Sequence, residues 1–276
     1  AGATANSNGA REGLTLFAPI GGTTAYLIDM AGDTVHQWQI SGTPGHAVYL
    51  LEGGKLLATY TVSSSSFGRE GGGGIEILDW AGDQIWSYQI SDSTHHQHHD
   101  VEYLPDGNIL AIAWEKISAS EALGAGMDST YVSAYGEVWS EAIFEIDPDT
   151  NSIVWEWHAW DHLLPSGTAP EGHPELIDPD YPAQRRSADW LHINSVDYNA
   201  ALDQIMLSVH NTNEIWVIDH ATTTAEAAGS AGNLLYRWGN PAAFGASGNQ
   251  VLYAQHDAEW IDPASATSNV LLFNNG

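Results

Sequence analysis

The chain has 276 residues, enough for a sizeable buried core, and a formal net charge of −28 set by 35 acidic against 7 basic residues. Such a field repels nucleic-acid phosphates and anionic membranes, and no run approaches the ~20 consecutive apolar residues of a membrane span. With no cysteine there is no disulfide, no thiolate nucleophile and no cysteine metal site.

The start, Ala1-Gly2-Ala3-Thr4-Ala5-Asn6-Ser7, carries no initiator Met. That fits a mature chain after signal-peptide removal, so we expect an exported protein, periplasmic or extracellular. Next, AYLIDMAGDTVHQWQI (25–40) reads as two strands around a turn, closing on an aromatic. HAVYLLEGGKLLATY (46–60) has a different form: a histidine, an alternating strand, a turn and a second apolar strand. IEILDWAGDQIWSYQI (75–90) returns to the first form. The two then alternate. HDVEYLPDGNILAIAW (99–114) is followed by IFEIDPDTNSIVWEWHAW (143–160), and HINSVDYNAALDQIMLSV (192–209) by EIWVIDH…LLYRWGN (214–240). A last copy of the histidine form, HDAEWIDPASATSNVLLF (256–273), stands near the end.

Two hairpins per unit make four strands, the content of a β-propeller blade. The expected fold is therefore all-β, a single β-propeller domain over 1–276 that ends mid-blade. A half blade, three full blades and another half make about four, leaving the ring incomplete, to be closed by a missing segment or another chain. A β-sandwich is the alternative, but it leaves the recurrent histidine unexplained. The histidine spacings are 53 (46→99), 93 (99→192) and 64 (192→256) residues, and the longest holds two expected loop insertions near 116–140 and 161–190.

The tract THHQHHDVEYL (94–104) holds four histidines. His99 is the repeat histidine, read as in phase with His46, His192 and His256, so these four are expected to converge. His95, His96 and His98 are expected in a solvated loop before the strand. His36, His158 and His220, at turns or strand ends, read as structural, and His162 and His173 as loop residues. IDPDTN (146–151) reads as a turn, and REGGGG (69–74) as a flexible loop with no phosphate-binding pattern. Most of the 12 tryptophans are expected in packing.

The run DWLHINSVDYNAALDQIMLSVHNTNEIWVID (189–219) resembles the central signature of the bacterial arylsulfate sulfotransferase family. HHDVEYLPDGNIL (98–110) and YRWGNP…QHDAEWI (236–261) resemble its flanking motifs. The resemblance implies a six-bladed propeller and an exported enzyme. Such an enzyme moves a sulfuryl group from an aryl sulfate donor to a phenolic acceptor through a sulfohistidine, with no cofactor. By motif, the nucleophile falls on His256, and supporting histidines on His192 and His99. The family pattern has an arginine after the central motif. Here His210 of Leu207-Ser208-Val209-His210 stands at that position. A neutral imidazole lacks the permanent charge and planar fork of donors that arginine offers a sulfate group. A protonated His210 would restore part of that charge at acid pH.

The residues support the same chemistry on their own. Imidazole, with a pKa of about 6.5, is largely unprotonated and nucleophilic near neutrality. His256 would attack sulfur, with Asp257 or another acceptor fixing its tautomer, while His192, His99 and His210 assist; Asn194 and Asp257 are the expected substrate-side polar groups. Two other readings stay open. His99, His192, His210 and His256 could instead hold iron, copper or zinc in a metal-dependent oxidoreductase or hydrolase. An acidic, Trp-rich propeller could also be a non-catalytic binding or surface-assembly module.

Overall fold

Runs of Val, Ile, Trp and Tyr bounded by Asp, Asn and Gly do form strands here, each turn taking the residues its geometry needs. The computed structural model describes residues 12–64, 66–67, 71–181 and 187–276. The start of the chain, part of REGGGG and Pro182 of the second insertion lie outside them. The chain divides into two compact units, Ala1–His99 and Asp100–Gly276.

In the first unit β1 (Thr15–Phe17), β2 (Thr24–Ile28) and β3 (Thr34–Gln39) form a three-stranded antiparallel sheet. β4 (Pro44–Leu51), β5 (Lys55–Thr61), β6 (Gly73–Leu78) and β7 (Gln84–Gln89) follow as a four-stranded meander. Ala25, Leu27, Trp38, Ile40, Leu56, Ala58 and Leu78 pack as one buried cluster. The Trp38 indole donates to Asp79 O at 3.0 Å, and His36 lies flat on Trp80 at 3.9 Å, a packing role as expected.

β8 (His95–Tyr103) holds the boundary between the units. It belongs to a second four-stranded sheet with β9 (Ile109–Ser118), β10 (Glu137–Asp147) and β11 (Ser152–His158). A third comprises β12 (Ile193–Asn199), β13 (Gln204–Val209), β14 (Glu214–Asp219) and β15 (Tyr236–Trp238), and β16 (His256–Trp260) pairs only with β17 (Val270–Phe273). Among the described residues the sheets thus hold three, four, four, four and two strands. That matches the expected partial, full and partial blades. No sheet closes on itself, and six blades are not seen.

Two expectations change. The first insertion is not a bare loop: α1 (Ala119–Ala125) and α2 (Ser129–Tyr135) form a helical pair between β9 and β10. Ser118 and Glu121 make a reciprocal capping box, Asp128 caps α2, and Gly126 and Gly136 end the helices in the left-handed conformation. The histidine tract is not a solvated loop either. It opens β8, with His96 and His98 1% and 0% exposed. His96 Nδ1 lies 3.1 Å from Ser91 Oγ, and its ring stacks on Phe67 at 5.8 Å. Hydrogen bonding and ring contact thus bury side chains that composition alone marks as polar.

The second unit's core is aromatic and aliphatic, with Trp157, Trp190 and Trp216 fully buried. Trp157 Nε1 donates to Gly232 O at 2.8 Å and Trp190 Nε1 to Tyr181 O at 3.0 Å, so burial leaves no indole N–H unpaired there. His162 is no exposed loop residue: it is fully buried, stacked on Trp157 at 5.2 Å. Arg237 Nε donates to Glu214 at 2.8 Å and its guanidinium lies over Phe244 at 4.8 Å, both partners of this ion pair being buried. In the following Gly239 (φ +129°) a Cβ would fall 2.4 Å from Asn213 O, which reserves that turn for glycine.

Candidate functional site

Every site histidine of the second unit sits at a place where one strand's side chains hold the next strand's backbone. Asp100 Oδ2, on β8, accepts from Val196 N on β12 at 3.1 Å. Ser195 Oγ, on β12, accepts from Ala258 N on β16 at 2.9 Å, and Asp197 accepts from Trp260 N at 2.5 Å. Glu141, fully buried on β10, takes Ile193 N at 2.9 Å. Asn194 Nδ2 donates to Gln255 O at 2.8 Å. Gln255, also fully buried, donates to Val209 O and Glu214 O at 3.0 and 2.8 Å. The backbone around His192, His210 and His256 is therefore fixed by buried polar bonds, each costly to break once desolvated.

These bonds also define the repeat phase. Val196 and Ala258 occupy equivalent places, each N–H taken by the preceding strand. His256 stands two positions before Ala258, whereas His192 stands four before Val196, and Asn194 fills the two-before position. The expectation that His192 is in strict phase with His256 is corrected by this count. A bulge between Ile193 and Ser195 and a φ of +54° at His192 re-aim the chain there. In the last repeat the bulge falls between His256 and Glu259, with Asp257 at φ +57°. Positive φ in non-glycine residues costs energy, and it recurs where these side chains must be placed.

Three of the four expected histidines meet within this unit. The His192 and His210 rings are 5.1 Å apart, and His210 and His256 5.3 Å, all edge to face and partly exposed. Each ring has its Nδ1 engaged. His192 Nδ1 bonds to Asp189 Oδ2. His210 Nδ1 lies 2.9 Å from Asn211 Oδ1, whose amide nitrogen donates to Asp189 O and Trp190 O at 3.2 and 3.1 Å. His256 Nδ1 lies 3.0 Å from Ala254 O, with Asn275 Nδ2 3.0 Å from the ring nitrogen and 2.9 Å from the same carbonyl. A carbonyl or carboxylate oxygen can only accept, so Nδ1 carries the proton in His192 and His210 and Nε2 is the lone-pair nitrogen of each of these neutral rings, whereas His256 Nδ1 faces both the accepting Ala254 carbonyl and the donating Asn275 amide. The acceptor at His256 is the Ala254 carbonyl and not Asp257, which is exposed.

Burial pushes the His210 imidazole below its ordinary value, opposed by the Asn211 bond and reinforced by His192 and His256 beside it. A protonated His210 standing in for arginine, expected at acid pH, is thereby moved further from neutrality. Arg237 cannot replace it either, since both edges of its guanidinium are spent on Glu214 and Leu176 O.

The fourth expected histidine, His99, closes the first unit. Its ring lies 5.1 Å from His46, and its Nδ1 2.8 Å from that of His98. His46 and His99 both have positive φ, +96° and +52°. Asn194 is buried with its Oδ1 unpaired, so it keeps one acceptor for another group. Beside the histidines runs an acidic set. Burial, with Asp197, Asp100 and Glu259 nearby, pushes Glu102 up to about 9. Burial pushes Asp197 up to about 6, and Glu259 is raised for the same reason. Among the described residues no group of three or more His, Asp or Glu is placed to hold a metal ion.

His158 and His220 are structural, as expected. His158 Nδ1 is 3.2 Å from Glu115, and His220 bridges Asp203 and Glu145 at 2.7 and 2.9 Å. IDPDTN is a turn, its Asp147 carboxylate accepting from Asp149 N and Thr150 Oγ1. The sequence reading missed Asp189, Asn211 and the Ala254 carbonyl. Only Asp189 left a signal, three residues before His192 in DWLH.

Comparison with known proteins gives a family for the chain. Residues 4–276 match the family model described as Arylsulfotransferase (ASST). The search of curated proteins returned no match. Among solved structures, Kuenenia stuttgartiensis hydrazine synthase is 14% identical with a TM-score of 0.54, over 95% of this chain and 68% of that one. A Bacteroides caccae protein of unknown function is 12% identical with a TM-score of 0.48, over 93% and 63% respectively. The first supports a propeller-like fold and nothing about chemistry. This chain thus spans about two thirds of the length of these structures.

Proposed function

The chain belongs to the arylsulfotransferase family, and from that premise we propose that it transfers a sulfuryl group between phenolic compounds through a sulfohistidine at His256. One observation carries the reading. His256 Nδ1 lies 3.0 Å from the Ala254 carbonyl, and in the tautomer that donates to this oxygen the Nε2 lone pair is left to attack.

In the first half-reaction Nε2 of His256 forms a bond to sulfur while the S–O bond to the aryl group breaks, and the electron pair leaves with the phenolate. A proton from Nε2 of the imidazolium form of His192 neutralises that oxygen. In the second half the acceptor phenol loses its proton to His192, its oxygen attacks sulfur, and the N–S bond breaks. Charge and atoms balance, and no redox partner is needed. His210 can offer an N–H to a sulfuryl oxygen only when its Nε2 is protonated.

The test is transfer from a chromogenic phenyl sulfate to a second phenol, followed by release of the first phenol and by mass of the product. Transfer that survives exhaustive chelation supports the reading. Turnover that vanishes with the chelator and returns with iron, copper or zinc would replace it with a metal enzyme. No turnover at all would leave a binding module.

A further inference from the structure

The carboxylate of Asp189 is 6% exposed and is not part of any motif role given above. Its place is set by backbone pairing: Trp139 N donates to Ala188 O at 2.8 Å and Trp190 N to Trp139 O at 3.0 Å, a parallel bridge that ties residue 189 to β10. Its two oxygens have separate partners. Oδ1 accepts from the indole N–H of Trp114, on β9, at 3.1 Å, and Oδ2 bonds to Nδ1 of His192. Trp114 is itself 1% exposed, so the brace cannot move without disturbing the core. Asn211 closes the arrangement from the other side by donating to Asp189 O and Trp190 O while its Oδ1 faces His210.

We propose that Asp189 is the positioning residue of His192: its buried carboxylate, braced by Trp114, holds the proton on Nδ1 and so turns Nε2 toward the reacting groups as proton donor and acceptor. The inference rests on the transferase reading for its kinetic consequence, but its structural content stands alone. Ionised carboxylate oxygens only accept, so the opposite tautomer would set a lone pair against the carboxylate. The same bond stabilises the imidazolium that forms when Nε2 takes a proton. Groups facing the ring from other segments are His210, with His256 behind it, and Glu141 of β10 holds the adjacent Ile193 N–H. Of the three histidines His192 alone has a carboxylate on Nδ1, which sets the site's one carboxylate-backed imidazole beside the neutral His210.

Asp189→Asn is the informative change. The amide keeps an oxygen for Trp114 but presents N–H₂ to His192, which must then accept at Nδ1 and carry its neutral proton on Nε2. Nitrogen-15 NMR of the histidine side chains, with His192→Gln to assign the signal, reads this directly. The expected result is an Nδ1–H tautomer in the wild type and Nε2–H in Asp189→Asn. A wild-type His192 already in the Nε2–H form would overturn the proposal. Kinetically, Asp189→Asn is expected to lower kcat about 10²–10⁴-fold with KM changed by less than about threefold, the loss growing as the donor's leaving phenol becomes more basic. Asp189→Glu should recover part of kcat, and Trp114→Phe should lose less than Asp189→Asn. Active wild type with an unchanged kcat in Asp189→Asn would sink the positioning role and leave the transferase reading intact. A wild type with no transfer activity would sink the transferase reading, and the tautomer measurement would still decide the proposal.

Discussion

Two histidine groups occupy the two units, and each has its own Nδ1 contacts. In the first unit His98 and His99 set Nδ1 against Nδ1 at 2.8 Å, with His46 5.1 Å from His99. Such a contact is attractive only when one ring donates and the other accepts, so a single proton is shared between them. In the second unit His192, His210 and His256 each have a separate oxygen at Nδ1, supplied by Asp189, Asn211 and Ala254. At His192 and His210 the proton positions are dictated by groups that can only accept, and at His256 the Ala254 carbonyl accepts the Nδ1 proton in the tautomer that leaves Nε2 free for chemistry. A recurring residue type does not make a site. In the second unit the oxygens behind the rings make the group.

The sharpest way to break this contrast is to remove one ring from each group. His256→Ala is expected to lower sulfuryl transfer by at least about 10³-fold, the usual scale for losing a nucleophile, while exposed His46→Ala changes it less than about threefold. Comparable losses in steady-state assays would erase the difference between the units. Next in size, Arg237→Met strands the carboxylate of Glu214, which is 0% exposed, and should cost about 3–5 kcal/mol of unfolding free energy in denaturant melts. Residual activity of the folded fraction should be unchanged, because the ion pair frames the second unit without touching the histidines.

A pH effect follows from the acidic set. Glu102 is raised in the folded chain to about 9, so between its ordinary value of 4.5 and about 9 the folded state holds a proton that the unfolded state has lost. Stability from this group is therefore full below about pH 4.5 and is lost as pH rises toward 9. Glu102→Gln should flatten that decline in urea midpoints measured from pH 5 to pH 9. A variant that declines as steeply as the wild type would show that Glu102 is not the group whose raised value sets the decline. The smallest effect expected is at His210. His210→Arg places a permanent cation where burial now keeps imidazole neutral, and should lower the donor's KM about two- to tenfold, with the gain largest above pH 7.

Much of this was legible in advance because it repeats. Alternating strands closed by aromatics gave the sheets, and the motif residues His192, His210 and His256 do meet. What stayed hidden has particular causes. The helices α1 and α2 were masked by Ser, Ala and Gly content, although Ser118 with Glu121 three residues on is a readable capping box. The strand from His95 was hidden because the imidazoles of His95, His96 and His98 look solvated until Ser91 and Phe67 are placed beside His96. The strict phase of His192 failed on one bulge, which no count of apolar residues reveals. The Ala254 carbonyl is backbone and leaves no trace in residue identity. Asp189 is visible as a letter, but its role needs Trp114, 75 positions away.

The central claim is that Nε2 of His256 takes the sulfuryl group. The most direct measurement is mass spectrometry of the protein held with an aryl sulfate and no acceptor, digested under mildly alkaline conditions and mapped to residues. A single sulfuryl adduct on the peptide carrying His256, released when a phenol is added and missing in His256→Ala, is the expected result. Rapid transfer with no adduct on any histidine, or an adduct on His192 that persists in His256→Ala, would contradict it.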